Sequence, residues 1–275
     1  MFKVSNLKGR LTMLALSATM LLGLLAATPT PVQGATVWST LNHDAITHFC
    51  VRKDSSEKWL PGCVAQKTLN KGAEVAMKCW YKDAWATGNY KSDKWFYVVS
   101  AGGTQGFIHS SWIDYDEQWH DSPWCSGSST SVRGIRAARL AAMKVGNTKL
   151  SSTDRSVSSV QPAPTYWSGW CYLFTYIMHE ETHGYGPKTG TGSAYGAYTY
   201  YKNKGSIRTD WDSLNIGSII FYGTSSPGHA ALFVGQGKVV TTQGTRESDK
   251  KEIAIKSISS ASVSAKKGWV SPGSF

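Results

Sequence analysis

Five cysteines constrain this 275-residue chain more than any other feature. Four of them, Cys50, Cys63, Cys79 and Cys125, lie in the first half, and Cys171 stands alone. Cysteines pair in an oxidising compartment, so an odd count leaves one thiol over. Four cysteines allow three pairings. Cys50–Cys63 and Cys79–Cys125 are favoured, because the first two flank one short loop and Cys125 then ties the end of that half back to a strand. Close Cys-x-x-Cys pairs are absent, which argues against a zinc ribbon.

The oxidising compartment is itself an expectation from the first residues. Lys3, Lys8 and Arg10 form a basic start, and Leu11 to Ala27 is an apolar run. Thr28-Pro29-Thr30-Pro31 breaks that run, and Val32-Gln33-Gly34 supplies small residues where a signal peptidase cuts. This pattern reads as a secretory signal peptide over 1–34, cleaved after Gly34, with no stable membrane insertion. The expected localisation is secreted, extracellular or attached to a cell wall.

The free thiol occupies a particular place. Trp167-Ser168-Gly169-Trp170-Cys171 is a turn that runs into the apolar residues Leu173, Phe174, Ile177 and Met178. With Ser168 as the N-cap, Cys171 falls at about the third helical position. Unpaired N–H groups and the positive end of the helix dipole there favour a thiolate, the nucleophilic form. The same helix ends in His179-Glu180-Glu181-Thr182-His183, a literal match to the His-Glu-x-x-His pattern of zinc proteases. Gly184 and Gly186 cut that helix at once, and a third ligand is not evident, so neither metal nor cofactor is expected.

Short strands fill the first half. Glu74–Trp80 alternates, Lys94–Val99 is rich in aromatic and β-branched residues, and Gly106–His109 adds another run. The order Lys71-Gly72-x-x-Val75…Cys79, then Lys94-Trp95-Phe96-Tyr97-Val98, then Gly106-Phe107-Ile108-His109 resembles a bacterial SH3-like domain of secreted wall proteins. That likeness implies a small all-β barrel over 36–125 that binds wall peptide or acts as a spacer. The Ser/Gly-rich stretch at 126–131 reads as a linker.

A helical run over Ser131–Val145 opens the second half, and 149–164 reads as loop. A further helix is expected between Gly192 and Lys204, after the one that starts at Cys171. Strand-like runs follow at 217–222, 229–234 and 238–242, with a last one at 268–270. A helix-start cysteine followed by a strand that opens with His229 is the order a cysteine hydrolase needs. The imidazole activates the sulfur and later protonates the leaving amine. Gly217-Ser218-Ile219-Ile220-Phe221-Tyr222 and Gly228-His229-Ala230-Ala231-Leu232-Phe233-Val234-Gly235 resemble the corresponding strands of NlpC-type papain-like cell-wall peptidases, and the related CHAP-type amidases share the Cys-then-His order. The resemblance implies an α+β papain-like domain over 132–275, with helices packed on an antiparallel sheet. It departs from the family pattern at Trp170, Tyr172 and Ser218.

The residue that orients His229 is the least determined. Thr241 is the simple strand match, and Gln243 lies two residues on, hence on the same face. Gln243 is preferred for its amide, and Asn215 is the weaker rival. The expected catalytic set is therefore Cys171, His229 and Gln243.

Removing the three leader cations from a formal charge of +11 leaves +8, which suits an anionic wall polymer. The cations are scattered, and nucleic-acid-binding motifs are absent, so nucleic acid is not the expected partner. The reading is a secreted, monomeric peptidoglycan hydrolase acting on wall peptide. Two other classes stay open: a Cys-His enzyme acting on protein amides (a deamidase, crosslinker or toxin), and a non-catalytic wall-binding protein.

Overall fold

The computed structural model describes residues 37–114, 124–125, 130–184, 186–223, 227–262 and 265–275. The side chains of Thr130, Ser131 and His183 fall outside that description, as do the expected leader and positions 126–129 of the expected linker. Among the described residues, no helix is long and apolar enough to cross a membrane.

The β-branched and aromatic runs of the first half form β1 (Val37–Thr40), β2 (Ala45–His48), β3 (Ala65–Leu69), β4 (Glu74–Thr87), β5 (Lys91–Ser100) and β6 (Gln105–His109). They make one antiparallel sheet in the order β1-β4-β5-β6-β2-β3. Alternation along the strands gives the sheet two apolar faces. Val75, Met77, Phe96, Val98 and Ile108 close on Leu41, Leu69 and Ile113 as a small core of their own. Cys79, Trp95, Tyr97 and Phe107 belong to a second and larger core. The disulfides Cys50–Cys63 and Cys79–Cys125 form as favoured, and Cys171 is free.

The larger core continues into α1 (Thr130–Met143) through Val132, Ile135, Ala138 and Ala141. Residues Thr36–Phe275 accordingly make one compact unit, where composition suggests two domains on a linker. Thr130 and Ser131, read as linker, begin the helix. Local composition misses this because it does not show what covers the far face of a sheet. An ion pair reinforces the junction. Arg139 of α1 meets the buried Asp83 of β4, and its guanidinium lies 4.6 Å from the Tyr81 ring centre. At the other end, the Gln236 amide donates to Thr47 Oγ1 at 3.1 Å and to the Gln105 carbonyl at 2.6 Å.

The second half has α2 (Ser152–Ser156), α3 (Cys171–His183) and α4 (Ala194–Asn203). Its sheet comprises β7 (Ile219–Tyr222), β8 (His229–Gly235), β9 (Lys238–Thr242), β10 (Ile253–Ser257) and β11 (Lys266–Val270). All neighbours are antiparallel, in the order β10-β9-β8-β7-β11. α1 and α3 pack together and against β8 and β9. Two elements lie outside the sequence expectation. α2 interrupts the expected 149–164 loop, where Ser151 and Asp154 cap one another. β10 is the short Ile253-Ala254-Ile255-Lys256-Ser257 run.

Asp154 also joins three helices electrostatically. Lys144, just past α1, reaches Asp154 at 2.5 Å and Glu181 of α3 at 3.8 Å. Burial pushes Asp154 up, but hydrogen bonds from Glu181, Lys144 and Ser151 outweigh it and hold that carboxyl low. Burial, followed by the Asp154 hydrogen bond, pushes Glu181 up to about 7. A raised carboxyl contributes stability in acid and loses it as pH rises through its folded value. Asp154 loses its contribution only in strong acid, outside that window. Denaturant unfolding should therefore show stability falling between about pH 4.5, the ordinary glutamate value, and pH 7. Glu181→Gln should flatten that fall, and an unchanged slope in the variant would contradict the assignment.

Candidate active site

α3 begins at Cys171, with Trp170 in the N-cap position and no side-chain cap. The expected cap, Ser168, is used elsewhere. Its hydroxyl donates to the Lys251 carbonyl at 3.2 Å and accepts from the Lys251 N–H, which ties the pre-helix turn to the segment before β10. Cys171 is therefore the first residue of the helix and not the third. Gly169 makes the turn possible. It has φ of 79°, and a Cβ there would lie 3.0 Å from the Thr245 carbonyl oxygen.

Without a side-chain cap, the first N–H groups of α3 are left to the sulfur. Cys171 Sγ takes backbone hydrogen bonds from Ala230, Tyr172 and its own residue. The Ala230 contact sets Cys171 beside the residue that follows His229. Cys171 retains partial exposure, yet burial pushes its thiol up, and the N–H groups pull the other way with less effect. The expected resting thiolate is thus corrected. Desolvation of the charged form exceeds the help from the helix start.

His229 opens β8 opposite Tyr222, with the two ring centres 5.9 Å apart. Its Nε2 lies 2.9 Å from Thr241 Oγ1. The same Thr241 hydroxyl donates to the Ala230 carbonyl at 2.9 Å. A hydroxyl has one proton to give. Both contacts are satisfied only when Thr241 gives its proton to Ala230 and accepts one from His229 Nε2–H. Nδ1 is then the ring nitrogen with a free lone pair.

Gln243 does not share this arrangement. Its amide donates to the Glu252 carbonyl at 3.3 Å, across the connection between β9 and β10. The alternation that placed it on the His229 face stops with β9 at Thr242. Asn215 is exposed in the turn before β7, where its carbonyl accepts from the Ser218 N–H. Of the sequence candidates, Cys171, His229 and Thr241 come together around Ala230, while Gln243 and Asn215 stand apart.

His179 is a core residue. It is fully buried, its Nε2–H donates to the Gly217 carbonyl at 3.0 Å, and its ring packs 4.6 Å from that of Phe275. Among the described residues, no group of three or more His, Cys, Asp and Glu could hold a metal ion.

Lys256 is a neighbour that the sequence does not reveal. It lies opposite Val239 in the β10–β9 register, two positions from the Ala254–Thr241 pair, and so on the Thr241 face. Burial, with the Lys256 charge second, holds His229 down to about 4. The resting pair is therefore a neutral thiol and a neutral imidazole.

Neither a protein-family model nor a curated protein sequence matches this chain. Several solved structures show a distant likeness, two of which follow. One is NlpC2 from Trichomonas vaginalis, at 14% identity and TM-score 0.36, covering 86% of this chain and 72% of that one. The other is an NlpC/P60 family protein from Bacillus cereus ATCC 10987, at 12% identity and TM-score 0.34, covering 86% of this chain and 64% of that one. At that distance, any functional reading rests on the side chains described above.

The electrostatic assignment has a direct check in an NMR titration of the His229 ring. Lys256→Met should raise its midpoint, though not to the ordinary histidine value of about 6.5, because burial is the larger cause. A midpoint that does not move would remove Lys256 from the site.

Proposed function

We propose that this protein is a secreted NlpC-type cysteine hydrolase that cuts peptide or amide bonds of bacterial peptidoglycan. The observation that carries the reading is the Thr241 hydroxyl held between the Ala230 carbonyl and His229 Nε2, with the Cys171 sulfur on the Ala230 N–H. A base nitrogen, its orienting partner and a nucleophile are gathered around one residue. The NlpC-like strands around Gly217 and Gly228 supply the substrate class, and a net charge of +8 without the leader cations suits an anionic wall.

The chemistry follows from the neutral resting pair. As Sγ attacks the substrate carbonyl carbon, His229 Nδ1 takes the thiol proton. Charge thus develops only in the transition state, and the desolvation that raises the thiol is not met at rest. The carbonyl oxygen gains negative charge, which the Cys171 N–H at the start of α3 stabilises. The imidazolium then passes its proton to the leaving amine, and a thioester remains. Water, deprotonated by His229, releases the acyl product and restores the thiol. Thr241 keeps Nε2 protonated throughout and so keeps Nδ1 as the working nitrogen.

The cross-linked first half is the SH3-like part of this reading, with wall attachment as its role. Its shared core with α1 makes it a support for the catalytic half as well.

The test is turnover of purified peptidoglycan, read by mass spectrometry of the released fragments. Cys171→Ala should abolish it. His229→Ala should cost about 10²–10⁴-fold, as loss of a general acid and base does. Thr241→Val removes one neutral hydrogen bond worth about 0.5–1.5 kcal/mol, or roughly two- to tenfold in rate, and Thr241→Ser should restore most of it. Gln243→Ala should change turnover by less than about twofold, since its amide bonds only the Glu252 carbonyl. Full activity in Cys171→Ala would end the catalytic reading. Activity on a protein amide substrate without wall turnover would move the enzyme to the deamidase or crosslinker class.

A further inference from the structure

The Thr241 bond alone does not fix the His229 ring. One hydrogen bond to Nε2 leaves an imidazole free to pivot about that contact, and Nδ1 then sweeps an arc. A base that works from one nitrogen needs a second contact on the body of its ring. Tyr222, which the chemistry above does not use, supplies one.

Tyr222 closes β7 and His229 opens β8, and the two stand directly opposite in the antiparallel register. Residues opposite one another project to the same face of a sheet, so their side chains lie side by side. The ring centres are 5.9 Å apart with the planes inclined at 51°, within the range of aromatic contacts. β8 runs between β7 and β9 in the sheet. The imidazole therefore sits between a phenol ring from one neighbouring strand and the Thr241 hydroxyl from the other.

The phenol is itself held. Tyr222 is buried, and its hydroxyl donates to the Ile258 carbonyl at 3.1 Å. Burial pushes the phenol up, so it stays protonated and a donor at neutral pH. Ile258 directly follows β10, and its N–H donates to the Gly237 carbonyl in the β8–β9 turn at 2.9 Å. The far end of the ring is thus tied, through Ile258, to the same hairpin that carries His229 and Thr241.

We propose that Tyr222 is a positioning residue for the reaction: its ring, anchored by its hydroxyl on Ile258, holds the His229 imidazole at the angle that keeps Nε2 on Thr241. The ring does the positioning, and the hydroxyl fixes the ring. The effect on turnover rests on the Cys171–His229 reading, and the effect on the imidazole does not.

The test reads the ring first and turnover second. In long-range ¹⁵N–¹H spectra of the uniformly labelled chain near neutral pH, Tyr222→Leu should shift His229 from a protonated Nε2 toward a mixture of the two tautomers. Turnover of purified peptidoglycan at saturating substrate should fall roughly two- to tenfold, as expected for one aromatic contact, with half-saturation unchanged. Tyr222→Phe keeps the ring, so it should hold the wild-type His229 spectrum and turnover within about twofold. It should still melt earlier, because the Ile258 carbonyl loses its donor. A His229 spectrum untouched by Tyr222→Leu, or a Tyr222→Phe chain as impaired as Tyr222→Leu, overturns the proposal. If Tyr222→Leu does not fold, the wild type decides. Nuclear Overhauser contacts between the Tyr222 ring protons and those of the His229 ring support the proposal, and their absence overturns it. The spectra need no turnover, so failure of the catalytic reading shows separately, as wall turnover that survives Cys171→Ala.

Discussion

A single hydroxyl proton determines which nitrogen of His229 carries the ring proton. Thr241 gives that proton to the Ala230 carbonyl at 2.9 Å and so presents a lone pair to the ring. If the hydroxyl pointed at Nε2 instead, the buried carbonyl would lose a bond, and the ring would carry its proton on Nδ1. A buried acceptor left without its partner costs about 1–3 kcal/mol, which is ample to bias two tautomers of similar energy. The ring tautomer is thus set by a backbone carbonyl one residue away, through a neutral side chain.

The rest of the second half serves that contact. The β8–β9 register pairs Leu232 with Val240 and Phe233 with Val239, and Thr241 comes next along β9 on the His229 face. Ser168 fastens the turn before Cys171 to Lys251, while Gly169 lets that turn approach Thr245 and Arg246. The helix start is therefore anchored to the connection between β9 and β10. The cost is desolvation, which raises the thiol and lowers the imidazole together. The consequence is a Cys171–His229 pair that is uncharged near neutral pH.

Much of this was legible in the residue order, for identifiable reasons. An odd cysteine at the start of an apolar run and a histidine that opens a strand are local patterns, and both fell where expected. The two disulfides followed from parity and loop length. Thr241 against Gln243 was not legible, because residues two apart share a face only while the strand lasts, and β9 stops at Thr242. The resting thiolate was misjudged because burial of the sulfur by β8 is a tertiary effect. Lys256 left no signal at all, since its influence depends on β10 pairing with β9. The Ser-rich boundary looked like a free linker, yet α1 begins inside it and shares its core with the first sheet.

The central claim concerns the protonation of one ring, and long-range ¹⁵N–¹H correlation spectra of the uniformly labelled protein report it directly. Near neutral pH, His229 should show a protonated Nε2 and an unprotonated Nδ1, and Thr241→Val should weaken that preference. A ring protonated on Nδ1, or doubly protonated in an ion pair with a Cys171 thiolate, would contradict the account.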